Sequence, residues 1–415
     1  MIINKLSIFL IISFPLFYII GPLTADISIS LISLLFLVEL IKNKNYEYFK
    51  TKIGIILTII WVYLNLNSLI NINNDFNSFG RSLTFIRYVL IFFAISHYLK
   101  NIKHIKIFFY FQILILLFVG IDLTYQSYFD VNLFGWTAPH STSGSDLPYI
   151  RPTGVFRDEE IAGSFFLKNL YLSLIGLSFF VFSSKKSIFK VFSISLYYIF
   201  LIYLVILSGE RMQLLLLVGS VFLAIPIFLY FDQNNINKIK IIIFTFSVIL
   251  IICLLIYFNP SILNRFSFLK NLNQLKDCTP DYICIFQSGI EVWKENIFFG
   301  VGLKNYRNVC PELTGLICTT HPHNFYIEII AELGIVGISL FIILIIFILK
   351  DFLKACGNNS LILYFTFAHL FIIFWPISTT GSIFSNYNGI LIWTNLGIVF
   401  AIIKYINKQL NDQNN

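Results

Sequence analysis

The chain has 415 residues, of which 57% are hydrophobic and only 12% are charged, and its formal net charge is +8. Soluble domains carry about 25% charged residues, so one water-soluble core cannot bury this apolar excess. The composition excludes a cytosolic enzyme, a nucleic-acid-binding domain and a disordered protein, and it predicts an all-α polytopic integral membrane protein.

Apolar runs of the length that spans a bilayer, roughly 20 residues, recur along the chain. The first run follows Lys5 but no A-x-A cleavage site comes after it, which favours a retained helix over a signal peptide. We predict about twelve transmembrane helices, at residues 5–22, 26–41, 53–72, 82–99, 104–123, 161–182, 187–207, 213–230, 238–258, 324–349, 360–377 and 388–405.

The basic residues predict the orientation, since cytoplasmic loops retain Lys and Arg. Seventeen Lys residues fall on one side of the predicted helices, whereas the short loops on the other side hold only Arg81 and Arg211. We therefore expect both termini in the cytoplasm and two long periplasmic loops, at about 124–160 and 259–323.

Four of the six cysteines lie in the second long loop: Cys278, Cys284, Cys310 and Cys318. An even set in an extracytoplasmic loop indicates two disulfides in an oxidising periplasm. Three connectivities are open, and we favour Cys278 with Cys284 and Cys310 with Cys318. A zinc site is the rival, although these spacings do not match the usual C-x2-4-C knuckle.

The same loop contains a predicted amphipathic helix. Phe286, Ile290, Trp293 and Ile297 recur at helical spacing, with polar residues on the other faces. Such a helix either lies on the outer leaflet and covers a substrate entrance or packs against the protein. The sequence leaves both possibilities open.

Arginine and lysine are distributed differently from each other. The seventeen cytoplasmic cations are all Lys, whereas the seven Arg are external or, for Arg87, within a span. A rigid fork that grips phosphate at two points requires Arg. The external Arg are therefore candidates for anion binding, with loop charges and lipid contacts as the alternative, and Arg151 is the one we favour in the first loop.

The most specific pattern begins where the large loop enters the tenth predicted span, with His321-Pro322-His323-Asn324. Asn324, Glu328 and Glu332 follow at intervals of four, which places an amide and two carboxylates on one helical face. Intramembrane carboxylates normally face a polar cavity or a partner. Small residues further along, Gly334 and Gly337, predict close approach of another helix.

His323-Asn324, nine residues, then Gly334-Ile-Val-Gly337 resembles the hallmark of the O-antigen ligase and polymerase superfamily of bacterial envelope glycosyltransferases. The stretches Arg151–Phe156, Ser208–Arg211 and Trp293 followed by Gly300-Val-Gly302 are also similar to that family. The resemblance covers roughly residues 150–345, a ligase-like core within a single membrane domain expected over residues 1–415.

The resemblance implies transfer of a glycan from undecaprenyl diphosphate to a sugar hydroxyl of lipid A-core, at the periplasmic face of the bacterial inner membrane. It implies a metal-independent enzyme without cofactor, in which Arg211 and Arg265 bind the diphosphate and His323 assists the acceptor. This chain departs from the family by having Glu210 before Arg211, where small residues are common.

The residue types suit that chemistry. Two bidentate Arg stabilise a diphosphate leaving group, and a neutral imidazole takes the proton of the acceptor. In-line attack would invert the anomeric centre. We expect Arg151, Asn324, Glu328 and His321 to contact or orient the substrates, with structural roles for the same side chains as the alternative.

Three other functions remain open. A repeat-unit polymerase differs from a ligase only in its acceptor, which is another repeat unit, and the sequence does not report the acceptor. A lipid-linked oligosaccharide transporter would share the hydropathy but is expected to carry charge in many spans. A non-enzymatic scaffold would not need the histidine motif beside external Arg.

Overall fold

The computed structural model describes residues 2–71, 76–138, 140–141, 149–181, 188–231, 235–257, 282–313, 315, 317–355 and 360–414. Its helices in chain order are α1 (Ile2–Ile20), α2 (Pro22–Asn43), α3 (Glu47–Lys50), α4 (Lys52–Ile70), α5 (Phe76–Thr84), α6 (Ile86–Tyr98), α7 (Ile102–Phe129), α8 (Ala162–Val181), α9 (Ile188–Leu207), α10 (Arg211–Phe231), α11 (Asn235–Tyr257), α12 (Tyr282–Glu295), α13 (Tyr306–Val309), α14 (Phe325–Ala355), α15 (Ser360–Phe374) and α16 (Asn388–Asn414). Two short antiparallel strands, β1 (His140–Ser141) and β2 (Tyr149–Ile150), lie in the first long loop.

The predicted all-α polytopic membrane fold is confirmed. Each predicted span coincides with a helix, except that residues 82–99 fall on two helices, α5 and α6, which meet at Phe85. Within the described residues, seven helices are long and apolar enough to cross a membrane. The total of twelve spans stays a prediction.

Helix α2 shows how the bundle combines a protein-facing stripe with a lipid-facing surface. Ala25, Ile29, Ile32 and Phe36 recur at helical spacing and are buried. Its outer face is equally apolar, and Leu23 is 71% exposed. A helix that is hydrophobic all round suits a membrane rather than water. In the centre of the bundle, α16 packs against α6, and α8 packs against α9 and α15.

The predicted helix in the large loop exists as α12, and it packs against α14. Its buried face contains Ile285, Gly289 and Val292 rather than the set centred on Phe286 and Ile290, because it faces protein. At Gly289 a Cβ atom would lie 2.3 Å from Ile327 on α14, so only glycine permits this close packing. Of the two possibilities left open by the sequence, α12 therefore packs against the protein.

Helix α14 is broken at Gly334, where φ is 64° and ψ is −166°. The segment 297–302 pairs with the backbone at this break: Val301 N–H donates to Ala331 O (3.0 Å) and Ile335 N–H donates to Ile297 O (3.0 Å). A Cβ at Gly334 would lie 2.2 Å from Phe298 O. The element that lies against Gly334 is therefore a loop segment with a turn at residues 296–299, not the helix expected from the sequence.

The backbone groups freed by the break find partners on α4. The hydroxyl of Tyr63 donates to Leu333 O (2.6 Å), and the amide of Asn67 donates to Phe299 O (2.6 Å). Non-helical backbone at membrane depth is tolerated only when its polar groups are satisfied inside the protein. The hydrogen bonds from Tyr63 and Asn67 thus stabilise the break within the bundle.

Candidate functional site

A cavity of about 1130 Å³ lies at one end of the helix bundle. Its lining comes from residues 19–26, 80–88, 155–161, 303–321 and 381–388. Each of these segments joins or flanks helices at the end that the Lys distribution predicts to be periplasmic. The exposed side chains of Arg81, Arg157 and Glu159 mark where the cavity reaches the surface.

Cations dominate the charged lining of the cavity. The basic residues are Arg81, Arg87, Arg157, Lys304 and Arg307, against three carboxylates, Asp26, Asp158 and Glu159. Asp26 is already paired with Arg87 at 2.9 Å. Lys304 is paired with Glu328 at 2.8 Å. The other three arginines outnumber the other two carboxylates, so the lining keeps a net positive charge that suits an anion.

Arg307 is the arginine best placed to bind such an anion. It is only partly exposed, and its Nε atom is buried without a hydrogen-bond partner in the described part of the chain. A buried N–H that lacks an acceptor is costly unless a ligand satisfies it. Arg307 lies just after the turn that carries Lys304, and its charge interacts with the buried carboxylate of Glu332.

The arginines favoured from the sequence have other positions. Arg211 is the first residue of α10 and is not among the residues lining the cavity. Arg151 forms an ion pair with Glu160 and also lies outside the lining. Arg265 and Cys278 lie outside the described residues.

Glu210, which precedes Arg211, caps the N-terminus of α8. Its Oε1 atom accepts hydrogen bonds from the backbone N–H groups of Gly163 (2.6 Å) and Ser164 (3.4 Å). Burial raises the pKa of Glu210 to about 7, and the nearby charge of Arg151 opposes this shift. The departure from the family pattern therefore serves to connect the α9–α10 turn to α8.

Arg157 reaches the cavity from a scaffold built in the first long loop. Its guanidinium stacks 4.2 Å from the ring of Trp136. Buried Asn132 fixes that loop by accepting from Trp136 N–H (2.9 Å) and donating to Gly154 O (3.1 Å). Gln126 of α7 accepts from Gly154 N–H (2.7 Å), so three segments are joined behind Arg157.

The two motif histidines lie side by side, with ring centroids 4.2 Å apart. His321 lines the cavity, whereas His323 does not, and its ring also contacts Tyr282 at 5.5 Å. Burial and the neighbouring His321 lower the pKa of His323 to about 4, although Glu328 opposes the shift. Burial also lowers the pKa of His321. Both imidazoles are therefore neutral at pH 7, and the lowered pKa makes each a weaker base than a free imidazole.

The residues that follow the histidines hold one wall of the cavity. Asn324 caps α14, accepting from Tyr326 N–H (3.0 Å) and Ile327 N–H (3.1 Å). Its amide donates to Pro376 O (2.7 Å) and Ser378 O (3.0 Å). These bonds attach the α15–α16 loop, residues 375–387, to the start of α14. Asn324 therefore positions this loop.

Glu328 continues the same attachment one turn further along α14. It is fully buried and accepts hydrogen bonds from Lys304 Nζ (2.8 Å), the hydroxyl of Ser382 and Ile383 N–H (3.1 Å). The predicted contact of this carboxylate with a polar cavity is thus indirect: the residues that it orients, Lys304 and Ser382, line the cavity.

Cys310 and Cys318 form a disulfide, the pairing favoured from the sequence, and Cys284 is also disulfide-bonded. The Cys310–Cys318 bond closes the chain between the lining residues Arg307 and Thr320. It therefore restrains the segment that brings Arg307 and His321 to one site.

Sequence reasoning missed Lys304 and the 381–388 wall, and it included Arg307 only as one of the external arginines. Arg307 carries the signal that already marked external arginines, but nothing local ranked it above Arg211. Residues 381–388 form a short polar break between two apolar runs. Their role depends on contacts with α14, such as that of Ser382 with Glu328, which are 54 residues apart in sequence.

Fold and site together define a polytopic helical membrane protein with a cation-lined cavity beside a His-Asn motif. Residues 196–342 match the family model described as O-Antigen ligase, a range that includes Arg211, Lys304, Arg307 and both motif histidines. Over this range the chain is similar to the O-antigen ligase family, which supports the resemblance carried by the His-Asn motif. No curated protein matches it.

Proposed function

We propose that this protein is an O-antigen ligase that moves a glycan from undecaprenyl diphosphate to a sugar hydroxyl of lipid A-core at the periplasmic face of the bacterial inner membrane. The family match supports an O-antigen ligase or polymerase type of glycan transfer in general. The observation that carries the more specific proposal is the cation-lined cavity, in which Arg307, Lys304 and His321 meet.

The donor requires a site for a diphosphate within reach of the membrane. The lining includes Ile19, Ile20 and Pro22 at the α1–α2 junction, next to outward-facing apolar residues such as Leu23. An apolar side and a cationic side in one cavity suit a lipid tail and its charged headgroup. Arginine forks and a lysine supply the positive charge that stabilises the leaving group, so we propose a metal-independent reaction.

In the proposed reaction the acceptor oxygen attacks the anomeric carbon as the bond to the diphosphate breaks. We propose His323 as the base and His321, which lines the cavity, as the imidazole that contacts the substrate. The negative charge of the bound diphosphate favours protonation of the neighbouring imidazole, which assists proton transfer. In-line displacement gives inversion at the anomeric carbon.

Arg211 and Arg265 remain proposed diphosphate ligands by family resemblance, beside Arg307, which the cavity adds. Arg→Lys at a bidentate site removes the fork while keeping the charge. We expect Arg307→Lys to reduce transfer strongly at equal protein level. Normal transfer by the Lys variants of all three positions would exclude a bidentate role for these three arginines.

The deciding experiment is deletion of the protein followed by gel analysis of lipopolysaccharide. A rough core with accumulated lipid-linked polymer supports the ligase. Core with a single repeat unit indicates a repeat-unit polymerase instead. Lipid-linked glycan that stays on the cytoplasmic leaflet indicates a transporter.

A further inference from the structure

Lys304 is the most unusual residue of the cavity, and we propose that it is a direct ligand of the donor's leaving diphosphate. This assignment rests on the proposed glycan transfer. It concerns a residue that no sequence motif singled out, and three independent observations carry it: backbone conformation, burial of charge and an unused hydrogen-bond donor.

The backbone of Lys304 adopts a conformation that disfavours side chains. Its φ is 63°, in the left-handed region that glycine occupies without steric cost. It lies in a tight turn closed by the bond from Asn305 N–H to Gly302 O (3.1 Å) and supported by Asn305 Nδ2 to Val301 O (3.1 Å). A strained non-glycine residue at such a position is a pointer to function.

The charge of Lys304 is buried but only partly satisfied. The side chain is 4% exposed, and its ammonium donates to Glu328 Oε1 (2.8 Å) and to the hydroxyl of Ser382. An ammonium has three hydrogens, and the described residues provide oxygen acceptors for two of them. On its cavity side the ammonium lies 5.8 Å from the ring of Phe384, which also lines the cavity. Because Lys304 lines the cavity, the third hydrogen is available to a ligand oxygen.

The surroundings fix Lys304 for that purpose. Glu328 and Ser382 hold the ammonium in place before a ligand arrives, so little side-chain entropy is lost on binding. Arg307 lies three residues further along and lines the same cavity. A point charge and a guanidinium fork together match a diphosphate, which presents several anionic oxygens.

Lys304 keeps all its protons during the transfer step and acts only as a charged ligand. The acceptor O–C1 bond forms while the bond between C1 and the diphosphate oxygen breaks, and the electron pair stays on that oxygen. The acceptor proton goes to the imidazole. Lys304 stabilises the negative charge that grows on the leaving oxygen.

The test compares binding of farnesyl diphosphate and farnesol to purified full-length protein in detergent. The variant is Lys304→Gly with Glu328→Gln, which removes the ion pair as a neutral unit and relieves the turn. We expect affinity for farnesyl diphosphate to fall about 10–100-fold, the usual range for a charged hydrogen bond, while farnesol binding is unchanged. Lys304→Met with Glu328→Gln serves if the glycine variant is not recovered folded.

The matched control is the exposed pair Lys294–Glu291 on α12, whose Nζ and Oε1 atoms lie 2.7 Å apart. Lys294→Met with Glu291→Gln removes the same charges outside the cavity, and both affinities should match wild type. Undiminished farnesyl diphosphate binding by the Lys304 variants overturns the proposal. Equal loss of farnesol and farnesyl diphosphate binding overturns it too, because it indicates that Lys304 only holds the 375–387 loop.

Binding does not require turnover, so the two proposals fail in distinguishable ways. If lipopolysaccharide is normal after deletion but Lys304 still governs diphosphate binding, the proposed ligase function is wrong and the ligand assignment stands. If transfer occurs but Lys304 does not affect binding, the assignment of Lys304 as a diphosphate ligand is wrong and the proposed ligase function stands.

Discussion

Asn324 offers the sharpest test of how the motif shapes the cavity. Asn324→Asp is nearly isosteric and keeps the oxygen that caps α14 through Tyr326 and Ile327. It replaces the amide that donates to Pro376 O (2.7 Å) and Ser378 O (3.0 Å) by an oxygen that faces both carbonyls. The cap is therefore retained while the attachment of the 375–387 loop is lost.

The structure sets the size of the effect. Asn324 is 3% exposed and Ser378 is 1% exposed, so loss of the donor to the buried Ser378 carbonyl costs about 1–3 kcal/mol. Pro376 is exposed, so water replaces the donor to its carbonyl. Loss of an N-cap costs about 0.5–2 kcal/mol more, so Asn324→Ala should destabilise by about 1.5–5 kcal/mol. Asn324→Asp keeps the cap but adds repulsion between its carboxylate and the two carbonyls.

The assay is thermal unfolding in detergent at pH 5 and pH 8, followed by tryptophan fluorescence. We expect Asn324→Asp to unfold several degrees below wild type at pH 8 and to recover partly at pH 5. The carbonyls raise the pKa of the introduced carboxyl, and its protonated form regains one donor. Asn308→Asp, at an exposed site, is the control and should match wild type. A wild-type unfolding temperature for Asn324→Asp at pH 8 would refute this reasoning.

The remaining predictions concern the catalytic pair, the helix break and the arginine scaffold. His323→Ala should lower turnover by roughly 10²–10⁴ in an in vitro transfer assay, whereas His321→Ala should mainly raise the KM for a substrate. The reverse pattern would show that His321 is the base and His323 contacts the substrate. Since burial lowers the pKa of His323 to about 4, this group disfavours the fold progressively as pH falls from about 6.5 towards 4, and His323→Ala should flatten that part of the pH–stability profile. Gly334→Ala should prevent stable folding, seen as loss of monodisperse protein, because its Cβ would lie 2.2 Å from a backbone oxygen. Trp136→Leu should weaken transfer more than Trp136→Phe, which keeps a ring for Arg157 to stack on; equal activity of the two variants contradicts the scaffold.

Hydropathy predicted the helices because membrane helices must be long and apolar, a requirement visible in any local window. The break at Gly334 was not predicted, since the run Phe325–Ala355 is apolar on both sides of it. The evidence for the break lies in a distant segment, where Val301 and Ile297 bond to α14. Local patterns identify a helix but not the segment that interrupts it.

Site prediction was limited for a related reason. The separation of Arg from Lys drew attention to external arginines, and three of these, Arg81, Arg157 and Arg307, line the cavity. To rank the arginines as ligands one must know which loops fold towards one another. The spacing of residues within one loop does not encode that information. Arg157 and Arg307 come together through the Trp136 scaffold and the Cys310–Cys318 bond, two features separated by more than 170 residues.

The break in α14 and the position of Lys304 have one structural cause. Gly334 lets residues 297–302 pair with the backbone of α14, and a Cβ at Gly300 would lie 2.3 Å from Glu332 C, so the pairing requires glycine there too. The chain then turns at Gly302 and places Lys304 against Glu328, two residues after the paired segment ends. Irregular backbone at membrane depth is stable only where protein satisfies it or a cavity accepts it. The glycines that interrupt regular structure therefore also set where the buried charge meets the cavity.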